Sequence, residues 1–307
     1  MGGVLTGFAS LAAVVLLGYV LGRYKVLGEG ADVALSKLTF YAATPALMYL
    51  TLARADVLTV FSAGALVTVI TATVLALVYA ALAALVLRRR GADLTLGALS
   101  ASYVNAGNLG IPILIFAVGD AAAIAPVLLF QLLVMVPVGF TLLDAQTGRG
   151  GVSLAQTVTM PLRNPLVIGV GLGLVTALTG LRLPEPVLLP VEMVADMAVP
   201  VMLVAFGISL RGAPVPGRGE VRAPMWSAVA LKTLAGPAIA YVLGAHVFGL
   251  SGPALAGPVI VAALPTAQNI FVYAMRYGRA VPLARDAILV STLVCIPVIV
   301  ALSAVLG

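Results

Sequence analysis

The chain has 307 residues, of which 62% are hydrophobic and only 9% charged, and its mean hydropathy is +1.17. A soluble domain carries about 25% charged residues, so this chain has too little polar surface for water, and the net charge of +6 does not signal nucleic-acid binding. The one cysteine, Cys295, excludes an internal disulfide and a cysteine-based metal site.

A helix that spans a bilayer needs about 20 mostly apolar residues. In chain order the candidates are 4–22, 33–53, 60–87, 95–118, 121–143, 164–180, 187–210, 224–247, 253–278 and 282–305. They predict an all-α polytopic membrane protein with ten spans; a β-barrel would show short alternating segments instead. Arg23 and Lys25 follow the first apolar run and no basic residue precedes it, so that run is read as a retained helix and not a cleaved signal peptide.

The basic residues set an orientation. With the N-terminus outside, the inner connections carry Arg23, Lys25, Arg88, Arg89, Arg90, Arg149, Arg163, Arg211, Arg218, Arg222, Arg276, Arg279 and Arg285, and the outer ones only Arg54 and Arg182. Cytoplasmic loops collect Lys and Arg, so both termini are expected outside an inner (plasma) membrane.

Spans 4 and 9 differ from the rest. Span 4 contains Asn105-Ala-Gly107-Asn108-Leu-Gly110-Ile-Pro112, and span 9 contains Leu264-Pro265-Thr-Ala-Gln268-Asn269. Proline removes a backbone donor and clashes with the preceding turn, and glycine eases unwinding. Unwound backbone survives at membrane depth only inside protein or along a wet cavity. Asn105, Asn108, Gln268 and Asn269 are therefore candidates for repairing the backbone or for binding a solute, with Pro112 and Pro265 expected to mark the two breaks.

The two halves repeat. Thr44-Pro45-Ala46-Leu47-Met48 in span 2 resembles Val199-Pro200-Val201-Met202-Leu203 in span 7, and Val136-Pro137-Val138 resembles Ile296-Pro297-Val298, 160 residues on. Five spans per half is an odd number, so residues 149–307 are expected inverted relative to residues 1–148. Inverted repeats with discontinuous helices at the midplane recur in secondary transporters.

The Asn105–Pro112 and Leu264–Asn269 stretches resemble those of the auxin efflux carrier family, bacterial branch, and the similarity extends over essentially the whole chain. The resemblance implies two crossed broken helices, as in bile acid symporters and sodium/proton antiporters. It also implies a scaffold from spans 1, 2, 6 and 7, a transport core from spans 3–5 and 8–10, elevator-type alternating access, and homodimers packed through the scaffold. Substrates of the family are small organic anions, auxin-like acids or mono- and dicarboxylates.

Ionisable groups inside a bilayer are functional candidates. Lys232, about eight residues into span 8, is a candidate for attracting the anion or pairing with the crossover, against a side chain that snorkels to the surface. Glu192 and Asp196 in span 7 are expected to be solvated or paired with Arg182, and His246, the only histidine, to be interfacial. Spans 5 and 10 lack acidic residues in their middles, which weakens a cation/proton antiporter and leaves proton or sodium coupling open. A sodium-coupled symporter is the alternative within transport. A membrane sensor or an intramembrane enzyme is the alternative outside it, although no Gly-x-Ser-x-Gly or phosphate loop is present. No cofactor or metal is expected.

Overall fold

The computed structural model describes residues 2–54, 62–118, 123–147, 165–181, 183–213 and 215–306, without the side chains of 2–8, 108, 111, 112, 115 and 116. Every element among them is helical. In chain order they are α1 (Gly2–Arg23), α2 (Ala31–Leu38), α3 (Thr44–Ala53), α4 (Ala63–Leu85), α5 (Gly91–Ser102), α6 (Ile111–Val118), α7 (Ile124–Phe130) and α8 (Val136–Gln146). The second half continues with α9 (Pro165–Thr179), α10 (Glu185–Asp196), α11 (Ala198–Ser209), α12 (Arg222–Ala230), α13 (Gly236–Val242), α14 (Gly252–Ala263), α15 (Asn269–Tyr277) and α16 (Val281–Leu306).

Among the described residues, five stretches are long and apolar enough to cross a bilayer: Ala63–Leu85, Ile124–Gln146, Glu185–Ser209, Gly219–Val247 and Val281–Leu306. The protein is thus a polytopic membrane protein. α5 and α14 are short for a physical reason: each stops at mid-protein, where the chain leaves the helix.

Wide π-helical turns join several helices without breaking them. Among the described residues they run Thr39–Ala43, Ala106–Gly110, Gln131–Met135, Leu231–Ala235 and Leu243–Val247. The first four are each followed two residues later by a proline, at Pro45, Pro112, Pro137 and Pro237, and the fifth is not. Proline supplies no N–H and its ring presses on the carbonyl one turn back. Widening that turn by one residue relieves the clash and keeps the helix continuous.

Two helix pairs make the tightest contacts, α1 with α11 and α3 with α9. Both are closed by glycine. A Cβ on Gly18 would lie 2.4 Å from the Val204 carbonyl oxygen, and one on Gly207 would lie 2.1 Å from that of Val15. In the other pair, a Cβ on Gly169 would lie 2.4 Å from the Pro45 oxygen and one on Gly173 2.7 Å from the Tyr49 oxygen. Small residues allow such backbone approach in membrane helices. Outward, α1, α9 and α10 present apolar side chains such as Leu16, Leu172, Leu178 and Met193, as a lipid-facing surface requires.

An aromatic cluster ties α2 and its π turn to α8 and α15. Phe40 and Phe140 meet edge to face at 5.6 Å, and Phe140 and Tyr273 at 4.8 Å. The Arg276 guanidinium lies 5.5 Å from the Phe40 ring centre and 5.2 Å from that of Tyr41, within cation–π range.

Candidate functional site

α5 ends at Ser102 and α14 at Ala263, and the chain beyond each is non-helical. The two broken stretches cross. Val104 and Thr266 form an antiparallel bridge. Asn105 N donates to the Pro265 oxygen at 2.8 Å, and Ala267 N donates to the Tyr103 oxygen at 3.2 Å. Each break therefore supplies partners that the other lost, which is what buried backbone demands.

Side chains complete the repair. Thr266 Oγ1 donates to the Ser100 oxygen at 2.7 Å, and the Ser291 hydroxyl on α16 accepts from Thr266 N at 3.1 Å. Gln131 Nε2 donates to the Val104 oxygen at 3.1 Å, and Lys232 Nζ donates to the Ser102 oxygen at 2.9 Å. Asn105 Nδ2 donates to Gln268 Oε1 at 2.7 Å, which joins the two crossing stretches through their own amides.

Beside the crossover lies a cavity of about 250 Å³. One wall is α3, with Thr44, Leu47, Met48 and Thr51, together with Val199 of α11. The facing wall holds Tyr103, Asn105, Gly107, Gln131 and Asn269. The lining is mainly apolar, with amides, hydroxyls and unwound backbone among it, and no charged side chain among the described residues. Asn269 opens α15, so the positive dipole end of that helix stands at the cavity, with Ile270 N and Phe271 N donating to the Ala267 and Gln268 oxygens at 3.1 and 3.0 Å.

Of the residues singled out in the sequence, Asn105, Gly107 and Asn269 meet at this cavity. Gln268 is buried behind it, bonded to Asn105. Gly110 packs into the core, where a Cβ would meet Ile124 Cδ1 at 2.4 Å. Pro265 lies inside the second break. Pro112 does not mark the first: the helix breaks at Tyr103–Asn105, and Pro112 opens α6 after the wide turn. The Asn108 and Pro112 side chains lie outside the described residues. Lys232 has no exposed surface and does not line the cavity; it reaches the end of α5 and does not snorkel. Glu192 pairs with Arg54, while Arg182 lies outside the described residues.

Gln131, Thr266, Ser291, Thr44 and Thr51 were not singled out in the sequence. One signal was available: Gln131 precedes Ser291 by 160 residues, the same offset as Pro137 and Pro297, and both cap the crossover.

Crossed, broken membrane helices beside a cavity lined by apolar side chains with a few amides and hydroxyls are the architecture of a membrane transport protein. The chain belongs to the membrane transport protein family, that of the auxin efflux carriers, whose model matches residues 4–149 and 149–302. It is similar to a Rhizobium meliloti (strain 1021) protein named "Putative malonate transporter", with 27% identity over 300 residues, covering 94% of this chain and 91% of that protein. It also resembles "Probable auxin efflux carrier component 5b" of Oryza sativa subsp. japonica, with 39% identity over 79 residues, which is 26% of this chain and 21% of that protein. Component 5c of the same plant gives 38% over the same length.

Proposed function

We propose that the protein is a secondary active transporter of small organic anions, carboxylates in the range from malonate to auxin-like acids. The observation that carries this reading is the cavity between α3 and the crossover, with Asn105 and Asn269 on its wall. A carboxylate there meets amide donors, hydroxyls and the start of α15, a setting that favours anions without a dedicated arginine. The similarity to proteins named for malonate and auxin supports the same substrate class.

The same proposal includes elevator-type motion. The glycine-closed pairs α1–α11 and α3–α9 form the scaffold (spans 1, 2, 6 and 7), and the crossed helices with α4, α7, α8, α12, α13 and α16 form the moving core. Inverted five-span repeats, residues 1–148 and 149–307, are supported by the packing. Gly18 against Val204 and Gly173 against Tyr49 are one contact repeated, because both members shift by 155 residues with their roles exchanged between halves. The proposed orientation has both termini outside the inner membrane. Scaffold-to-scaffold dimerisation is part of the proposal.

The test is uptake of labelled malonate and indole-3-acetate into proteoliposomes, alongside thermal shift of the purified protein. Accumulation of either acid supports transport. Stabilisation without uptake would mark a sensor, and no response to any mono- or dicarboxylate would overturn the anion reading.

A further inference from the structure

The cavity beside the crossover lies toward one end of the molecule. On α3 its lining runs from Thr44 to Thr51, and Thr51 stands within a turn of the exposed Arg54 that ends the helix. Toward the opposite end, that of Arg88, Arg218 and Arg276, an aromatic layer closes it. Phe40 lies one turn before Thr44, Tyr273 one turn after Asn269, and Phe140 beyond Gln131 along the same span. All three are buried and none lines the cavity. Phe40 belongs to the proposed scaffold, and Phe140 and Tyr273 belong to the proposed core. The two bodies therefore meet in this layer, ring edge to ring face.

The ion pairs among the described residues each keep to one body. Lys25–Glu29 and Arg54–Glu192 lie within the scaffold, and Arg279–Asp93 and Arg285–Asp286 within the core. Such an interface can slide, because no charge has to be stripped from its partner. Arg276 does cross it. From the last turn of α15 its guanidinium reaches the Phe40 and Tyr41 rings of the scaffold. Among the described residues its Nε is buried without a hydrogen-bond partner, and so is the Ser36 hydroxyl, one turn before Phe40 on the same face. Leaving a buried polar group unpaired costs free energy. Both groups stand on the basic side of the aromatic layer, where water would satisfy them once core and scaffold part.

We infer that the structure is the state in which the cavity is shut off from the basic end, and that Arg276 is the latch of this gate. Its grip on Phe40 and Tyr41 holds the aromatic layer closed, and it must let go before a solute can leave on that side. The latch rests on the division into scaffold and core proposed above. The attraction of a ring face for a cation is modest, enough to bias a two-state equilibrium several-fold and too small to lock it. The unpaired Arg276 and Ser36 groups pull the other way, toward the hydrated, open gate.

The test places single cysteines in a Cys295→Ser parent and labels them with an impermeant maleimide from either side of the membrane. Thr51→Cys lines the cavity, and Ser36→Cys sits behind the gate. With Arg276 in place, Thr51→Cys is expected to react from the side away from Arg218, and Ser36→Cys to react slowly from both. Arg276→Gln should raise the Ser36→Cys rate from the Arg218 side by about fivefold or more and lower the Thr51→Cys rate. Arg276→Lys, which keeps a cation, should leave both rates near those of the parent. Tyr41→Leu, at a half-exposed ring, should shift both rates the same way by less, and it decides the matter if Arg276→Gln does not fold. A rise at both positions marks loosened packing and overturns the latch. So does no change at either, an Arg276→Lys variant that behaves like Arg276→Gln, or a Thr51→Cys that reacts from the Arg218 side while Arg276 is present. Malonate uptake by the same parent keeps the two readings apart. Uptake without the reciprocal shift overturns the latch alone, whereas the shift without uptake of any carboxylate overturns the anion reading and leaves the latch standing.

Discussion

At the scale of single residues, Asn105 to Gln268 is one of the bonds that hold the two crossing stretches, beside the backbone pairs and Thr266 to Ser100. A net hydrogen bond is worth about 0.5–1.5 kcal/mol, and one to a charged group about 1.5–3 kcal/mol. Asn269→Ala, which removes an amide from the cavity wall, should therefore weaken malonate binding by roughly ten- to a hundredfold while the protein stays folded and monodisperse. Asn105→Ala should lose both binding and some stability, because it also removes one partner of Gln268. Thermal titration with malonate separates the two effects. A second residue-scale prediction concerns Asp286. Its carboxylate accepts from Arg285 Nε at 2.9 Å and from Gly217 N at 3.0 Å, and both charged side chains are buried. Removing one partner of such a pair costs about 3–5 kcal/mol, whereas replacing both by apolar groups is often neutral. Asp286→Ala should lower the melting midpoint sharply, and Arg285→Met with Asp286→Leu should recover most of it.

At the scale of elements, prolines decide shape and glycines decide distance. The sequence predicts breaks at Pro112 and Pro265. In the fold, four prolines follow a widened turn, and the true breaks fall at Tyr103–Asn105 and Leu264–Gln268. The reason is that a helix can absorb one proline by widening, whereas ending it requires partners for the freed backbone, and those came from the other half. The glycine contacts give a test. Gly207→Ala places a methyl 2.1 Å from the Val15 oxygen, and overpacking of this kind costs about 1–3 kcal/mol. Gly171→Ala, on a glycine with nothing within 4 Å, should leave the melting midpoint unchanged or raise it slightly, since alanine favours the helix. Equal effects of the two substitutions would show that the α1–α11 contact is not tight.

At the scale of the whole molecule, the proposed orientation rests on the charge asymmetry of the connections. In a Cys295→Ser background, Ser251→Cys is expected to react with an impermeant maleimide added to intact cells, and Arg218→Cys only after permeabilisation. Both positions are exposed. The reverse pattern would invert the proposed topology, and with it the side of the membrane toward which the cavity lies.

Composition by itself determined that this chain lives in a bilayer, because 9% charged residues cannot clothe a soluble surface. Pattern alone also located the two amide-rich interruptions, since polar residues in an apolar span need a reason. It could not say which amides face a cavity and which face each other. Asn105 and Gln268 are 163 residues apart, and only their crossing spends both on a mutual bond and leaves Asn269 at the cavity wall. Nor could it choose among fates for Lys232. A long side chain can reach water, a substrate or a carbonyl from one position, and the packing of α12 and its wide turn against α5 decided for Ser102. The physical reason is the same in each case. Hydropathy is summed along the chain and survives in one dimension, whereas a hydrogen bond depends on a distance of about 3 Å between residues whose separation only the tertiary fold defines.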